Sequence, residues 1–484
     1  MLNQDQTPYA DAVKAYAARD IEHLNTPGHQ VALDAHPGLT EFFGVKILDL
    51  DVQPFVDGID YGTYPTPLDE SLELAAQAWG ARKTWFLTNG ASQGNMMATL
   101  AIRNRGEQIV VQRSVHSSVI DALGLTGLDA HFVYPSVDKS LGIANGVTPA
   151  ALDASISASP HPVAAYIVTP SYFGAVADVA ALADVAHRHN IPLIVDEAWG
   201  AHFGFHPQLP TNAIRLGADI VISSTHKLAG SLTQSAMLHL GNGPFSDDLE
   251  PLLDRAFKSL QSTSASALLT SSLDIARMEI ATCGSTTITA TLERMNALRE
   301  GFALRGRFHD IAADLLLHDD VIDIDPLRIA LNTISGGISG HEARSILFSE
   351  FGILCEIATH STIVLLVGAG ALPDVDRILE AFHSLPLRAD VNVPALELPA
   401  AGERVSIVRD AYFAQSIVVN ADEAVGQVSA DSVAAYPPGI PNLLPGERIT
   451  RETIDFLQAT IAAPYGHVRG GASADMTAFR VVAQ

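Results

Sequence analysis

Asp219-Ile220-Val221-Ile222-Ser223-Ser224-Thr225-His226-Lys227 is the stretch on which the fold turns. Its first part, a β-branched apolar run, has the length and makeup of a buried strand. The chain then passes hydroxyls and a histidine to reach a lysine, followed by Leu228-Ala229-Gly230-Ser231. Lysine is scarce: Lys14, Lys46, Lys83, Lys139, Lys227 and Lys258 are all there are among 29 cationic side chains. At the end of a buried strand, such a residue is oddly placed for a surface charge. Burial makes its amine easier to deprotonate and so nucleophilic, as covalent capture of a carbonyl requires. The plainer alternative is a structural salt bridge.

Outward from this stretch, short apolar runs alternate with helical patterns. Thr84–Leu87, Gln108–Val111, Ala130–Tyr134, Ala164–Val168 and Pro192–Asp196 read as further strands, with helices over Met96–Ile102 and Ala180–His189. Such alternation predicts an α/β fold with a large, mainly parallel sheet covered on both faces. Ahead of it the spacing predicts a helix over 7–23, a turn at Asn25–Gln30, an irregular arm over 31–70 and a helix over 71–82. Behind it come helical patterns at 247–258 and 271–303, the second read as one long connector. A smaller α/β section follows, with strands Ile329–Ile334 and Ile363–Val367 and helices Glu342–Phe351 and Val375–Ser384. Pro386–Pro399 has the makeup of a linker. The expected organisation is an N-terminal helix and arm (1–75), a large cofactor-binding domain (76–300), a small α/β domain (301–390) and a C-terminal domain (400–484).

The formal net charge of −25 argues against nucleic acid as a partner. It is compatible with a cationic ligand. Cys283 and Cys355 are too few for a disulfide framework or a zinc site. The N-terminal residues show no basic region followed by an apolar core, and no apolar run approaches the roughly 20 residues of a membrane span. The expectation is a cytoplasmic enzyme with no membrane partner.

Candidate chemistry clusters where predicted strands end, the place where open α/β sheets bind ligands. Thr88-Asn89-Gly90-Ala91-Ser92-Gln93-Gly94-Asn95 is a glycine-bearing turn entering a helix, with backbone N–H groups suited to an anion. Gly90, Ala91 and Ser92 are its candidate phosphate contacts; the alternative is an ordinary strand–helix turn. His116 could stack on a flat heteroaromatic ring or simply cap the following helix. Asp196 ends an apolar strand, where a carboxylate is costly without a partner; a protonated pyridinium nitrogen is one partner and a helix N-cap role the alternative. Trp199 follows closely; taken alone it reads as packing, and within this set of loops it is a candidate cofactor contact. Ser224 and His226 can reach phosphate oxygens beside Lys227. Together these loops describe a site for pyridoxal 5'-phosphate (PLP): an anion cup, a stacking group, a pyridinium partner and a covalent lysine.

The chain resembles the Orn/Lys/Arg decarboxylases, PLP enzymes of the aspartate-aminotransferase fold (fold type I). Ser224-Thr225-His226-Lys227, continuing to Gln234-Ser235-Ala236, resembles their lysine signature. Thr26-Pro27-Gly28-His29, Asn89-Gly90-Ala91-Ser92-Gln93-Gly94-Asn95 and Tyr436-Pro437-Pro438-Gly439-Ile440-Pro441 with Pro445-Gly446-Glu447 resemble three further family motifs. His116 and Asp196 fall at the family's ring-stacking histidine and pyridinium aspartate. The length suggests the shorter members, without an N-terminal response-regulator-like domain. Ala91 replaces the usual threonine, which removes a phosphate hydroxyl but leaves the backbone N–H. Ile222 replaces a residue that is usually small. Ser262-Thr263-Ser264-Ala265-Ser266-Ala267 stands where the family has a Thr-Ser-Pro-x-Tyr stretch; the hydroxyls of Ser262 or Thr263 are then those expected to reach a neighbouring subunit's site.

The resemblance implies a homodimer, or a higher even assembly, with shared active sites. It implies α-decarboxylation of arginine, lysine or ornithine to the amine and CO₂. In that reaction Lys227 binds the cofactor, Asp196 partners its ring nitrogen, and Lys227 or His226 returns a proton to Cα. Glu447 is the first candidate partner for the substrate's cationic tail, with Glu197 and Glu356 behind it. Transamination, aldol cleavage or an oxidation on the same scaffold stays open, because Arg404 and Arg409 are available to clamp an α-carboxylate. So does a non-catalytic relative, although Lys227, Asp196 and His116 are all present.

Overall fold

Seven apolar runs become the strands of the large mixed sheet: β1 (Lys83–Leu87), β2 (Gln108–Gln112), β3 (Asp129–Val133), β4 (Pro162–Val168), β5 (Leu193–Asp196), β6 (Ile220–Ser223) and β7 (Ala236–Leu240). Strands β2 and β4 to β7 are buried almost throughout. That explains their continuous apolar runs in place of the alternation of a half-exposed sheet. The computed structural model describes residues 3–388, 391, 397–436, 439–463 and 466–483. The linker expected over Pro386–Pro399 falls partly outside these residues, as do Pro437 and Pro438. Residue contacts divide the chain into two units: Met1–Ala98 with Glu197–Thr289 and Gly368–Gly370, and Thr99–Asp196 with Ala290–Val367 and Ala371–Gln484.

In the first unit β7 pairs antiparallel with both β1 and β6, so β1 and β6 run the same way. Strand β7 was not foreseen. Its sequence, Ala236-Met237-Leu238-His239-Leu240, continues directly from the lysine signature, and His239 interrupts the apolar run. The structure shows why that histidine is tolerated. Thr84 Oγ1 lies 2.9 Å from one ring nitrogen and Ser223 Oγ 3.2 Å from the other, while the Trp79 ring stacks on it at 5.3 Å. Trp79 closes the helix Pro67–Trp79, which begins four residues before the predicted start. Thr66 and Asp69 form a reciprocal capping box and Pro67 supplies the fixed φ of a first helical turn. Helix Gly90–Arg103 leaves β1 and crosses β6 closely: a Cβ on Gly94 would stand 2.7 Å from Ile222 Cγ2.

The N-terminal helix ends at Ala17, short of the predicted 23. Its start is fixed by Asp274 and Ser71, which both accept from the Tyr9 N–H; Asp274 is also ion-paired with buried Arg277. The arm predicted as irregular contains two short helices, Pro37–Phe43 and Val45–Leu50. The connector read as one long helix breaks at Cys283 into Ala267–Thr282 and Gly284–Arg305.

In the second unit β5, β4, β2 and β3 lie side by side, all parallel. Helices Ser117–Thr126, Pro149–Ala158 and Val179–Arg188 supply connecting elements. The smaller α/β section forms an antiparallel sheet of His309–Asp310, Arg328–Asn332, Thr362–Leu366 and Ile357–Ala358, with helices Gly340–Phe351 and Val375–Ser384 close to their predicted bounds. The C-terminal segment builds its own small core from Val433, Leu443, Ile454, Leu457 and Phe479, among others. Each such fully buried aliphatic side chain contributes about 1.5–3 kcal/mol. Among the described residues no helix is long and apolar enough to cross a membrane.

Candidate active site

Because β1 and β6 run the same way, their C-terminal ends bring the 88–95 loop and the Lys227 segment to one edge of the first unit. The two are tied together. Gly90 N–H donates to the Gln234 carbonyl at 2.7 Å, and Gln234 Nε2 donates to Asn89 Oδ1 at 3.0 Å. Gln234 holds a left-handed backbone, φ 79°, to make both contacts. A second glutamine braces the loop from the other side. Gln261, after the helix Ser246–Leu260, bonds to Thr88 Oγ1 at 3.2 Å and to Gln93 Nε2 at 2.6 Å. Sequence reasoning missed both glutamines; only Gln234, inside the lysine signature, left a signal.

After β6 the chain makes a short helical turn, Thr225–Leu228. It sets Lys227 Nζ 3.7 Å from the centre of the Trp199 ring. Trp199, expected to pack, therefore lies against the lysine itself, in a cation–π contact of the kind worth about 0.5–2 kcal/mol. Ser224 and Thr225 are buried, and Thr225 Oγ1 has no hydrogen-bond partner among the described residues. His226 Nδ1 lies 2.9 Å from the Ser235 carbonyl. A carbonyl only accepts, so Nδ1 carries the proton. Burial is the main reason the His226 pKa falls below its usual value; Lys227 nearby adds to the fall and the Ser235 contact opposes it. Ser262 and Thr263 are exposed, just beyond Gln261, with Ser262 Oγ accepting from Ser264 N–H. Glu197, a further candidate for the cationic tail, sits inside the first unit. It is fully buried, accepts from Ala213 N–H at 2.8 Å, and burial raises its pKa well above the usual range.

The parallel strands of the second unit likewise end at one edge. Asp196 closes β5 and is 3% exposed. Its charge is felt by Tyr166 and Tyr172, whose phenols are raised, first by their own burial; that of Tyr172 reaches about 12. Asp196 precedes no helix, which sets aside the N-cap alternative. His116 does cap a helix. Its Nδ1 accepts from Ser118 N–H at 3.2 Å at the start of Ser117–Thr126, and the residue stands exposed after β2.

Glu447, expected to face a substrate cation, has a cation of its own. Arg113, at the end of β2, binds it through both terminal nitrogens, at 2.5 and 2.8 Å, and Glu447 Oε2 also accepts from Leu444 N–H at 2.9 Å. Burial, the largest influence on Arg113, works against its charge, yet Glu447 leaves the guanidinium more basic than usual. Glu356 is exposed. Arg404 pairs with Asp129 and donates to the Ala130 carbonyl, so it does not stand ready for a carboxylate. Among the described residues no cluster of His, Cys, Asp or Glu is suited to a metal ion.

Comparison with known proteins places this geometry. A family model described as Orn/Lys/Arg decarboxylase, major domain, matches residues 7–325, and one for the C-terminal domain of the same enzymes matches 407–464. The chain is 32% identical to an arginine decarboxylase of Bacillus subtilis over 462 residues, covering 94% of each protein. It is 31% identical to an arginine decarboxylase of Halalkalibacterium halodurans over 468 residues, covering 95% of this chain and 94% of that one. Among solved structures it is similar to the constitutive lysine decarboxylase of E. coli, with a TM-score of 0.80 at 19% identity over 99% of this chain and 82% of that chain. That likeness, together with the large mixed sheet, establishes the fold type I architecture. The chain belongs to the Orn/Lys/Arg decarboxylase family and is a PLP-dependent decarboxylase.

Proposed function

We propose that the protein removes the α-carboxylate of arginine, with lysine and ornithine as the alternative substrates, and releases the corresponding amine, a polyamine precursor. The observation that carries this reading is Lys227 at the end of β6, its amine set against the Trp199 ring, in a chain about a third identical to proteins named arginine decarboxylase. The residues fit PLP. Among the described residues Thr225 Oγ1 is a buried hydroxyl oxygen without a partner, two residues from the lysine, and helix Gly90–Arg103 begins at the C-terminal end of β1, the edge at which β6 also ends. Bound PLP supplies an electron sink for the pair left when CO₂ departs.

The chain's own residues do the rest. Lys227 provides the amine that holds the cofactor. Ala91 and Ser92 offer backbone N–H groups to a phosphate, with the helix dipole behind them; Gly90 has given its N–H to Gln234 and serves the turn. Ser224 adds a hydroxyl. His226 Nε2 is a lone pair in the neutral ring and meets a phosphate only by taking up a proton. For the same reason Lys227, not His226, returns the proton to Cα. Asp196 keeps a ring nitrogen protonated, and His116 offers its imidazole face to the ring. Trp199 positions the Lys227 amine. Glu447 fixes Arg113 and the 441–447 turn and does not meet the substrate. Ser262 and Thr263, exposed beside the loop, are the hydroxyls offered to a second subunit of a cytoplasmic homodimer.

The test is direct. Purified protein is incubated with PLP and separately with arginine, lysine, ornithine and uncharged amino acids carrying a ¹⁴C carboxyl, with amines identified by mass. Labelled CO₂ with agmatine from arginine is the expected result. A keto acid without labelled CO₂ overturns the reading in favour of transamination.

A further inference from the structure

The second unit contains a cavity of ≈ 460 Å³ that the proposed chemistry does not use. Arg344 and Arg469, His341 and His467, and Tyr172 and Tyr436 supply its titratable lining. The rest of the described lining carries no acidic residue. In a chain with an excess of 25 negative charges, two arginines and two histidines around one acid-free space are unlike the average surface. Arg344 is anchored through Nε–H to the Cys355 carbonyl at 3.0 Å, and no carboxylate pairs with it or with Arg469 among the described residues. Arg469 also lines the neighbouring cavity, where Asp121 lies within reach of its charge. The crowding of positive groups shows in His341. Burial first, then His360, Arg344 and His467, drive its pKa down to about 4. The two arginines bring planar forks of donors matched to an oxyanion, and the two phenols add hydroxyl donors.

We propose that this cavity binds an oxyanion, a carboxylate or phosphate group, through Arg344 and Arg469. Tyr172, which lines the cavity, follows β4 by four residues and feels the charge of Asp196 at the end of β5. Two sources supply such a group: the substrate's own carboxylate, or a separate phosphate-bearing effector.

The experiment is calorimetric titration of the PLP-loaded, full-length enzyme with inorganic phosphate and, separately, with succinate. The wild type, an Arg344→Gln/Arg469→Gln double variant and the two single Arg→Lys variants are compared. Saturable binding of at least one probe is expected. It should weaken about tenfold or more in the double Gln variant and by a smaller factor in each single Lys variant, which keeps the charge but loses one fork. Displacement of the probe by the amino-acid substrate assigns the site to the substrate's carboxylate; coexistence of the two assigns it to a separate anion. The proposal is overturned if neither probe binds the wild type, or if the double variant binds as tightly. If the double variant does not fold, exposed Arg469→Gln alone carries the comparison. Binding is read without turnover, so failure here leaves the decarboxylase reading standing, and failure of that reading leaves this one.

Discussion

Breaking the Arg113–Glu447 pair should destabilise the protein before it affects catalysis. The two side chains are 2% and 5% exposed and share two hydrogen bonds. Arg113 also donates to the Pro441 carbonyl through Nε and a terminal nitrogen, at 3.2 and 3.1 Å, and lies over the Phe132 and Tyr134 rings. Replacing Arg113 by alanine leaves the Glu447 carboxylate buried with one remaining donor, Leu444 N–H. Leaving one member of a buried ion pair uncompensated costs about 3–5 kcal/mol. Glu447→Gln keeps the shape but turns an amide toward the guanidinium, so its cost should be smaller, about 2–3 kcal/mol. The double variant Arg113→Met/Glu447→Leu removes both charges and should recover much of the loss. Urea denaturation monitored by circular dichroism, read as a double-mutant cycle, measures the coupling. The reasoning fails if Glu447→Gln unfolds at the wild-type urea concentration while its KM for arginine rises about tenfold. That result would return Glu447 to the substrate.

Other expectations follow from single contacts. Lys227→Ala should abolish both the visible absorbance of the PLP-loaded protein and CO₂ release, checked by spectrophotometry and radiolabel; persistence of the absorbance would place the cofactor link elsewhere. Gly94→Ala should destabilise by about 1–3 kcal/mol in urea, because the new Cβ meets Ile222 at 2.7 Å and helix Gly90–Arg103 must move off β6. His239 has its pKa depressed by burial to about 3, below its ordinary 6.5, so the unfolded chain takes up a proton that the folded chain refuses. The stability that His239 gives by staying neutral is therefore complete above pH 6.5 and is lost as pH falls from there toward 3. Between pH 7.5 and 5.5 this one residue should take away about 1.4 kcal/mol, and His239→Gln should flatten that part of the urea-midpoint profile.

The sequence alone carried the class of the fold because its information is local. Strands β2, β4, β5 and β6 are buried almost throughout, so they appear as unbroken apolar runs. The signature around Lys227 is likewise continuous in the chain. What escaped was set by partners remote in sequence. Strand β7 hides a histidine that is acceptable only because Thr84, Ser223 and Trp79 surround it. The fate of Glu447 was decided by Arg113, 334 residues away, and no local pattern marks either as the other's partner. Trp199 looked like packing until the turn after β6 set Lys227 against its ring. Local propensity and burial pattern thus determined which elements form and which loop holds the lysine. Only the tertiary structure decided which charges are already satisfied, because a buried charge is settled by the group opposite it in space and not by its neighbours along the chain.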